Sequence, residues 1–296
     1  MRLRGAGIKT GKTGDTVIGD QPDGVFQIAS IGKQIIACAV LMLVRDGKLD
    51  LHEPVARWLP DPLPQWNDVT MHHLLSHTAG VPHWTFENQA LNPISWMPHR
   101  ERLDQLARTP LAAAAGERWH YSSPGYLLVG DIFERAAGKT YAEFARERIV
   151  ARLDLRQTFV GQRPSAAVPG HRDGEPATEI DAADMTGTGD HWATAADLAR
   201  LITALHGGEL LPTEDLSLLR APHVEAKDHH YGYGVHCGRF ADEPAFWHHG
   251  DVPGYQSMTV WLPKRQTAIV VLSNDETTDT NKVARLLANG TSLPPG

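Results

Sequence analysis

The chain has 296 residues, and its 28 Lys and Arg against 35 Asp and Glu give a formal net charge of −7 when histidine is neutral. This acidic balance argues against a nucleic-acid-binding protein, which needs a basic face. Hydrophobic residues make up 42% and charged residues 21% of the chain. At this length, such a composition predicts a folded protein of one or two domains with a large buried core.

Two features of the sequence bear on cellular location. Cys38 and Cys237 are the only cysteines, so folding does not require a disulfide framework or an oxidising compartment. The N-terminal residues lack an apolar run of signal-peptide length, and no run of about 18 apolar residues occurs elsewhere. We therefore expect a cytoplasmic protein with no membrane partner, although a start codon lying further upstream would allow an export signal.

The predicted elements change in character along the chain. Residues 1–25 are rich in Gly and Thr and leave room for one short strand or a loose arm. The segment from Ser30 to Arg45 predicts a long buried helix that ends at Asp46-Gly47. Apolar spacing and capping residues predict further helices at 72–76, 100–108, 123–137, 141–153 and 194–205. The pattern then turns to strands at 231–239, 245–249, 256–262 and 267–273, followed by a closing helix at 282–288.

The order of these elements predicts how the chain is organised. Strands near one end and helices in the middle indicate a sheet-containing body with an inserted helical lobe. We assign residues 1–29 and 192–296 to the body and residues 30–191 to the lobe. No linker in the sequence is long enough to separate independent domains.

Sixteen histidines are many for this length, which makes a metal site the first hypothesis. His73 and His77 are four residues apart on a predicted helix, so that their rings could share one face. However, the chain has no His-Glu-x-x-His or His-x-His-x-Asp-His motif, and its two cysteines lie far apart. We therefore interpret the histidines mainly as surface and packing residues and predict no metal ligands.

Serine chemistry is the second hypothesis, and it rests on Ser30-Ile31-Gly32-Lys33 at the start of the long predicted helix. The first and fourth residues of such a segment share a face, which lets the Lys33 amine take the proton of the Ser30 hydroxyl. The helix start also directs unpaired N–H groups and a positive dipole end at a reacting carbonyl. Taken alone, the same residues also fit a helix-capping serine followed by an exposed lysine.

Two further segments accompany this motif. Tyr121-Ser122-Ser123 precedes an apolar helix, and His248-His249-Gly250 lies on a predicted strand. In order and spacing, the three segments resemble the Ser-x-x-Lys, Tyr-x-Asn and Lys-or-His-x-Gly motifs of the serine β-lactamase and penicillin-binding-protein superfamily. Segments 46–51, 74–80 and 194–199 resemble connecting signatures of its class C β-lactamase-related branch, which includes esterases, D-alanyl-D-alanine carboxypeptidases and D-aminopeptidases. The resemblance extends from residue 26 to residue 290.

The resemblance implies roles for residues of the first two motifs. Ser30 would be the acylated nucleophile, Lys33 its general base, and Tyr121 the relay that passes a proton to the leaving group. Ser123 would bind substrate. The resemblance implies no metal or organic cofactor, and it gives His77 a structural place.

The third motif would form one edge of the cleft. His248 would support either the substrate carboxylate or the tyrosine of the second motif. His249 and Gly250 would continue the edge, where glycine allows substrate to approach closely. The backbone N–H groups of Ser30 and Asp251 would form the oxyanion hole.

The sequence departs from the family pattern at two places. Ser123 stands where the Tyr-x-Asn motif has an amide, and its shorter side chain offers fewer hydrogen-bond donors to a β-lactam or a peptide. Only 29 residues precede Ser30, fewer than family members spend on the two leading strands of the sheet. We therefore expect a missing strand, with the exposed sheet edge covered by an upstream segment or by a second subunit of a homo-oligomer.

Together these observations predict an α+β fold of the β-lactamase type, in which helices flank an antiparallel sheet and an all-α lobe is inserted. The expected function is hydrolysis or acyl transfer of a small-molecule ester or amide through a Ser30 acyl-enzyme, by a carboxylesterase or acyltransferase. A D-alanyl-D-alanine carboxypeptidase, a D-aminopeptidase or a weak β-lactamase that uses the same residues stays open. A non-catalytic penicillin-recognition module stays open as well.

Overall fold

A computed structural model describes residues 3–11, 14–59, 61–83, 99–178 and 181–290. The ends of the predicted body, 1–2 and 291–296, lie outside the described residues. In chain order the strands are β1 (Gly5–Thr10), β2 (Thr16–Ile18), β3 (Phe26–Gln27), β4 (Thr158–Val160), β5 (His171–Arg172), β6 (Glu175–Pro176), β7 (His191–Ala193), β8 (Val224–Ala226), β9 (His229–Tyr231), β10 (His236–Phe240), β11 (Glu243–Val252), β12 (Tyr255–Leu262) and β13 (Thr267–Ser273).

The α-helices are α1 (Gly32–Arg45), α2 (Met71–Leu75), α3 (His99–Ala107), α4 (Ser123–Ala137), α5 (Tyr141–Ala145), α6 (Ala195–Gly207), α7 (Thr213–Arg220) and α8 (Thr280–Ala288). Short 3-10 segments cover Ala29–Ile31, Val55–Trp58, Pro64–Asp68 and Ala182–Met185, and a π-helical turn covers Arg146–Val150. In the described part of the chain, no helix combines the length and the apolar character that crossing a lipid bilayer requires.

An antiparallel sheet forms the centre of the fold. Within the described residues it has eight strands in the order β2-β1-β13-β12-β11-β10-β9-β8. Strand β13 is buried along its whole length because its two faces meet different partners. Val270 and Leu272 belong to the main apolar core, whereas Ile269 and Val271 pack in a second core with residues of α8. The predicted α+β fold, with helices flanking an antiparallel sheet, is therefore confirmed.

Helix α1 is enclosed along most of its length, since residues 32–43 are all buried. A helix that is apolar around its circumference is stable only inside a core. Ile35 accordingly shares the main core with Val270 of the sheet, and α1 also packs against α4 and α7. The helix ends as predicted, because Gly47 adopts a φ of +70°, which favours glycine. One core thus joins residues of the predicted body and lobe, and the boundary between these units stays a prediction.

The N-terminal part of the chain differs from the single short strand or loose arm that its composition predicts. Two strands form there, since β1 pairs with β13 and β2 pairs with β1. Glycine permits this pairing, because a Cβ atom at Gly19 would lie 2.2 Å from the carbonyl oxygen of Gly5. Glycines also weaken the alternation of apolar and polar residues that would have predicted β1. The expectation of a missing strand was therefore wrong, and in the described residues β1 and β2 occupy the edge assigned to an upstream segment or a second subunit.

Several predicted elements have the wrong extent. The strand predicted at 245–249 is the middle of the ten-residue β11, and the helix predicted from Ser30 begins at Gly32, after the 3-10 turn. The strand predicted at 231–239 is divided between β9 and β10, because residues 232–235 leave the sheet in a loop that contains Gly234, whose φ is +69°. A Cβ atom at Gly234 would lie 2.5 Å from the carbonyl oxygen of Lys33, so glycine lets this loop rest against the start of α1. The helix predicted at 141–153 changes at Ala145 from α-helix to a π-helical turn.

Helix α6 begins where the sequence predicts, with Thr194 as its N-terminal cap. The Thr194 hydroxyl oxygen accepts a hydrogen bond from the backbone N–H of Asp197 at 3.2 Å. The Asp197 carboxylate in turn accepts from the backbone N–H of Gln157 at 2.7 Å and from the Thr158 hydroxyl at 3.0 Å. The first turn of α6 is thereby tied to β4.

We expect Thr194→Ala to lower the free energy of unfolding by about 1 kcal/mol, because the backbone N–H of Asp197 loses its acceptor. Thr194→Ser keeps the hydroxyl group and is expected to retain most of the stability. Urea denaturation of the full chain measures both variants. An alanine variant as stable as the parent chain would show that this cap contributes nothing.

Candidate active site

Ser30 lies in the short 3-10 turn between β3 and α1. The residue before it, Ala29, has a φ of +50°, a left-handed conformation that costs on the order of 1–3 kcal/mol in a residue with a side chain. The surrounding strands hold this turn in place. A Cβ atom at Gly250 of β11 would lie 2.9 Å from the Ala29 Cβ, and the Ser257 hydroxyl of β12 donates to the Ile28 carbonyl at 2.8 Å. The half-buried Ser30 is therefore presented on a strained, tightly packed turn.

Lys33 brings its amine to the serine. Its Nζ lies 3.0 Å from the Ser30 Oγ, and it donates to the Thr188 carbonyl oxygen at 3.1 Å. The lysine side chain is fully buried. Burial lowers the pKa of Lys33 to about 7, while the charge of Asp190 acts in the opposite direction. A substantial fraction of the amine is therefore neutral near pH 7 and able to accept a proton.

Tyr121 is the third group at this point. Its hydroxyl forms side-chain hydrogen bonds with Ser30 and Ser123, and the Lys33 Nζ lies 5.3 Å from the centroid of its ring. Burial raises the pKa of Tyr121 to about 12, although both hydrogen bonds act in the opposite direction. Lysine and tyrosine have nearly the same ordinary pKa, and here their surroundings separate them into a base and a protonated donor.

The start of α4 fixes the second motif. Ser122 caps the helix, and its backbone N–H donates to the Nδ1 atom of His77 at 3.2 Å. The His77 ring packs against the Tyr121 ring with a centroid distance of 4.4 Å. Ser123 follows with a nearly buried side chain, and its backbone N–H donates to the Nδ1 atom of His83 at 3.3 Å. Ring packing and these hydrogen bonds together orient the tyrosine.

His73 and His77, the pair that first suggested a metal site, have different structural contacts. His73 closes the capping box of α2, since its Nδ1 atom accepts from the backbone N–H of Thr70 at 3.2 Å. His77 packs against Tyr121. His73 therefore has a capping role, and His77 has the structural place that the resemblance implies.

Strand β11 carries the third motif with alternating burial. His248 and Gly250 are buried, whereas His249 and Asp251 are exposed, because successive residues of a strand point to opposite faces. Gly250 lies directly against the turn that carries Ser30. The third motif therefore adjoins the first, and the oxyanion hole expected from the backbone N–H groups of Ser30 and Asp251 stays a prediction.

His248 lies behind the tyrosine. Its Nδ1 atom is 2.6 Å from the His249 carbonyl oxygen, and its Nε2 atom is 3.0 Å from the Tyr231 hydroxyl. Its ring is fully buried and lies 6.2 Å from the Tyr121 ring between centroids. Burial also lowers the pKa of His248 well below its ordinary value, so the ring is neutral near pH 7. His248 thus lies near the Tyr121 ring, and both roles expected for it stay predictions.

Several buried groups near Lys33 belong to none of the three motifs, so the sequence alone does not identify them. The His191 Nδ1 atom lies 3.0 Å from an Asp190 carboxylate oxygen, and its Nε2 atom lies 3.2 Å from the Tyr141 hydroxyl. Thr188 and Asp190 act directly on the Lys33 amine, as its hydrogen-bond acceptor and as a charge. The one available signal was the short run Gly-Thr-Gly-Asp-His at 187–191, in which two glycines flank a buried turn.

Ser30 contacts both the buried Lys33 amine and the Tyr121 hydroxyl. A serine placed between these two groups has the parts of a site in which lysine can activate serine for acyl transfer. The beta-lactamase family matches residues 3–291, and the chain belongs to this family.

Curated relatives include proteins of two kinds. The chain is 39% identical over 171 residues to Esterase EstB from Burkholderia gladioli, a match that covers 52% of this chain and 43% of that protein. It is 26% identical over 287 residues to Penicillin-binding protein 4* from Bacillus subtilis, covering 86% of this chain and 61% of that protein. The chain thus spans about half the length of these curated relatives.

Solved structures match over nearly the whole chain. A penicillin-binding protein from Bacillus halodurans has a TM-score of 0.84 and 25% identity, covering 97% of both chains. A D-amino acid amidase from Ochrobactrum anthropi SV3 has a TM-score of 0.83 and 25% identity, covering 97% of this chain and 96% of that one. These likenesses confirm the predicted β-lactamase-like fold.

We expect Gly250→Ala to disturb the site and the fold together. The new Cβ atom would lie 2.5 Å from the Ile28 carbonyl oxygen, so β11 must move away from the turn that carries Ser30. Overpacking of this kind costs about 1–3 kcal/mol. Urea denaturation measures that cost, and the rate of fluorophosphonate labelling, which should fall, measures the reactivity of Ser30.

Gly207→Ala is the matched control, because a Cβ atom at Gly207 would meet nothing within 4 Å. This variant is expected to keep the parent labelling rate and to be at least as stable as the parent chain, because alanine favours a helical position over glycine. Equal behaviour of the two variants would contradict the close contact between β11 and the turn.

Proposed function

We propose that the chain is a serine hydrolase that forms an acyl-enzyme at Ser30 and acts on carboxylic esters, as a carboxylesterase or acyltransferase. One observation carries this proposal: the Lys33 amine lies 3.0 Å from the Ser30 Oγ and has a pKa lowered to about 7. A serine hydroxyl beside a partly neutral amine is an activated nucleophile at physiological pH.

The steps follow from the protonation states of the two partners. The Ser30 Oγ attacks the acyl carbon while Lys33 takes its proton, and backbone N–H groups of Ser30 and Asp251 stabilise the resulting oxyanion. Tyr121 then donates its proton to the leaving alkoxide as the ester C–O bond breaks, and the Lys33 ammonium restores the proton of the phenol. Water or an acceptor alcohol attacks the acyl-enzyme by the same route in reverse.

Esters are favoured over peptides because of the second motif. The Ser123 side chain is nearly buried and offers a single hydroxyl donor at the position where an amide group would grip a substrate amide. An ester has no N–H group to be recognised and has a better leaving group than an amide. Its hydrolysis therefore depends less on a hydrogen bond from the second motif. The 39% identity to Esterase EstB over half of this chain supports the same choice.

A second candidate is hydrolysis of D-amino acid amides or of D-alanyl-D-alanine peptides by the same residues. It is favoured by the TM-score of 0.83 against a D-amino acid amidase, whose structure matches this chain almost from end to end. The chemistry at Ser30 would be unchanged, and only the leaving group would differ.

The test compares rates of one preparation on a short-chain p-nitrophenyl ester, on nitrocefin and on a D-Ala-D-Ala peptide. We expect the ester to be hydrolysed fastest, and the Ser30→Ala variant to lose this activity together with labelling by a fluorophosphonate. A faster peptide or nitrocefin reaction would replace the esterase proposal by a peptidase or β-lactamase. Labelling of Ser30→Ala would refute the nucleophile, and a single acylation without turnover would indicate a penicillin-recognition module.

The pH profile of ester hydrolysis tests Lys33. Because the neutral amine is the base, kcat/KM is expected to rise with pH through a midpoint near the Lys33 pKa of about 7. Asp190→Asn removes a charge that raises this pKa, so the midpoint should move to lower pH. Asp154→Asn, which changes an exposed carboxylate paired with Arg156, is the control and should leave the midpoint in place. An unchanged or higher midpoint in Asp190→Asn would contradict the role of Lys33 as base.

A further inference from the structure

Three histidines gather beside the candidate active site, on β10 and β11. His236, His248 and His249 each offer one ring nitrogen, and these three nitrogens lie within 4.8 Å of one another. His236 and His248 are buried, whereas His249 is exposed. We call these residues the three-histidine cluster. It is distinct from the pair His73 and His77, which lies in and just after α2.

His236 contributes a buried nitrogen without a partner. Its ring is 5% exposed, and among the described residues its Nε2 atom has no hydrogen-bond partner. The other nitrogen, Nδ1, lies 2.7 Å from the Nε2 atom of His229, and the Nδ1 atom of His229 lies 2.9 Å from an Asp228 carboxylate oxygen.

These contacts determine which nitrogens carry protons. The Asp228 carboxylate can only accept, so neutral His229 donates through Nδ1 and accepts through Nε2. His236 must then donate through Nδ1, which leaves a lone pair on its Nε2 atom. Metal-binding imidazoles usually donate their second N–H to a fixed acceptor, which orients the ring. The Nε2 atom of His229 supplies such an acceptor to His236.

His248 offers its Nε2 atom by the same reasoning. Its Nδ1–H donates to the His249 carbonyl oxygen at 2.6 Å, so a lone pair resides on Nε2, where it accepts from the Tyr231 hydroxyl at 3.0 Å. The Tyr231 hydroxyl has a second acceptor in the Tyr126 hydroxyl oxygen. A metal ion at the His248 Nε2 atom would therefore not leave Tyr231 without a hydrogen bond.

We propose that the three-histidine cluster binds a divalent transition-metal ion of the Zn²⁺ class. Three neutral imidazoles suit Zn²⁺, Cu²⁺ and Ni²⁺ better than hard ions such as Mg²⁺ or Ca²⁺. Zn–N distances of about 2.0–2.1 Å place tetrahedral ligand atoms about 3.4 Å apart. The cluster must therefore contract, and the exposed side chain of His249 has the freedom to turn inward. The sequence contains no metal-binding motif and therefore predicted no metal ligands. The proposed site arises because the fold brings separate histidines together.

The experiment uses the full chain after treatment with EDTA and dialysis, titrated with ZnCl₂ in a calorimeter. We expect one Zn²⁺ per chain for the parent protein, and an affinity at least about tenfold weaker for His249→Gln and for His236→Gln. His249 is exposed, so its variant tests the site even where a change at His236 prevents folding. Thermal denaturation verifies that each variant is folded.

His52→Gln is the matched control, because His52 belongs to a different histidine group, with ring centroids 5.6 Å from His72. Its affinity for Zn²⁺ should equal that of the parent chain. Ser30→Ala should also bind Zn²⁺ normally, which separates this proposal from the proposed hydrolase activity. No heat of binding, equal affinity in His249→Gln and the parent, or a loss in His52→Gln as large as in His249→Gln would overturn the site.

Discussion

The exclusion of water from one lysine amine is the constraint on which the rest of the structure depends. Lowering the pKa of Lys33 from 10.5 to about 7 means that its surroundings disfavour the ammonium form by about 5 kcal/mol relative to water. Several elements keep water away from the Lys33 amine. Helix α1 is buried along its first three turns, and the loop that contains Gly234 packs against the start of α1. Loosening any of these contacts would admit water and restore an ordinary, charged lysine.

The same dry surroundings act oppositely on the tyrosine. Desolvation disfavours whichever form carries charge, so it removes a proton from the lysine and keeps one on Tyr121. Two opposite shifts of pKa thus arise from one physical cause. Asp190 moderates the effect, because its charge keeps the Lys33 pKa near neutrality. The balance between burial and this one carboxylate sets the pH range in which the Lys33 amine is neutral.

Local patterns predicted the parts of the molecule that local physics determines. The Ser30–Lys33 contact follows from helical spacing, α4 and β13 have the predicted bounds, and Thr194 caps α6 as expected. Contacts between distant segments left no such pattern. Thr188 reaches Lys33 across 155 positions of sequence, and strands of two or three residues such as β3 and β7 exist only because they pair with each other. Similarly, the division of the strand predicted at 231–239 depends on the packing of Gly234 against α1, a tertiary contact that overrides strand propensity.

The alternation of burial along β11 determines which of its positions tolerate substitution. The inward positions, His248 and Gly250, adjoin the tyrosine and the strained turn, so a change there alters the chemistry and the fold at once. The outward positions, His249 and Asp251, meet solvent and are free of that packing. Packed side chains and solvent-facing side chains thus alternate along a single strand. A substitution at an outward position therefore leaves the packing between β11 and the strained turn in place.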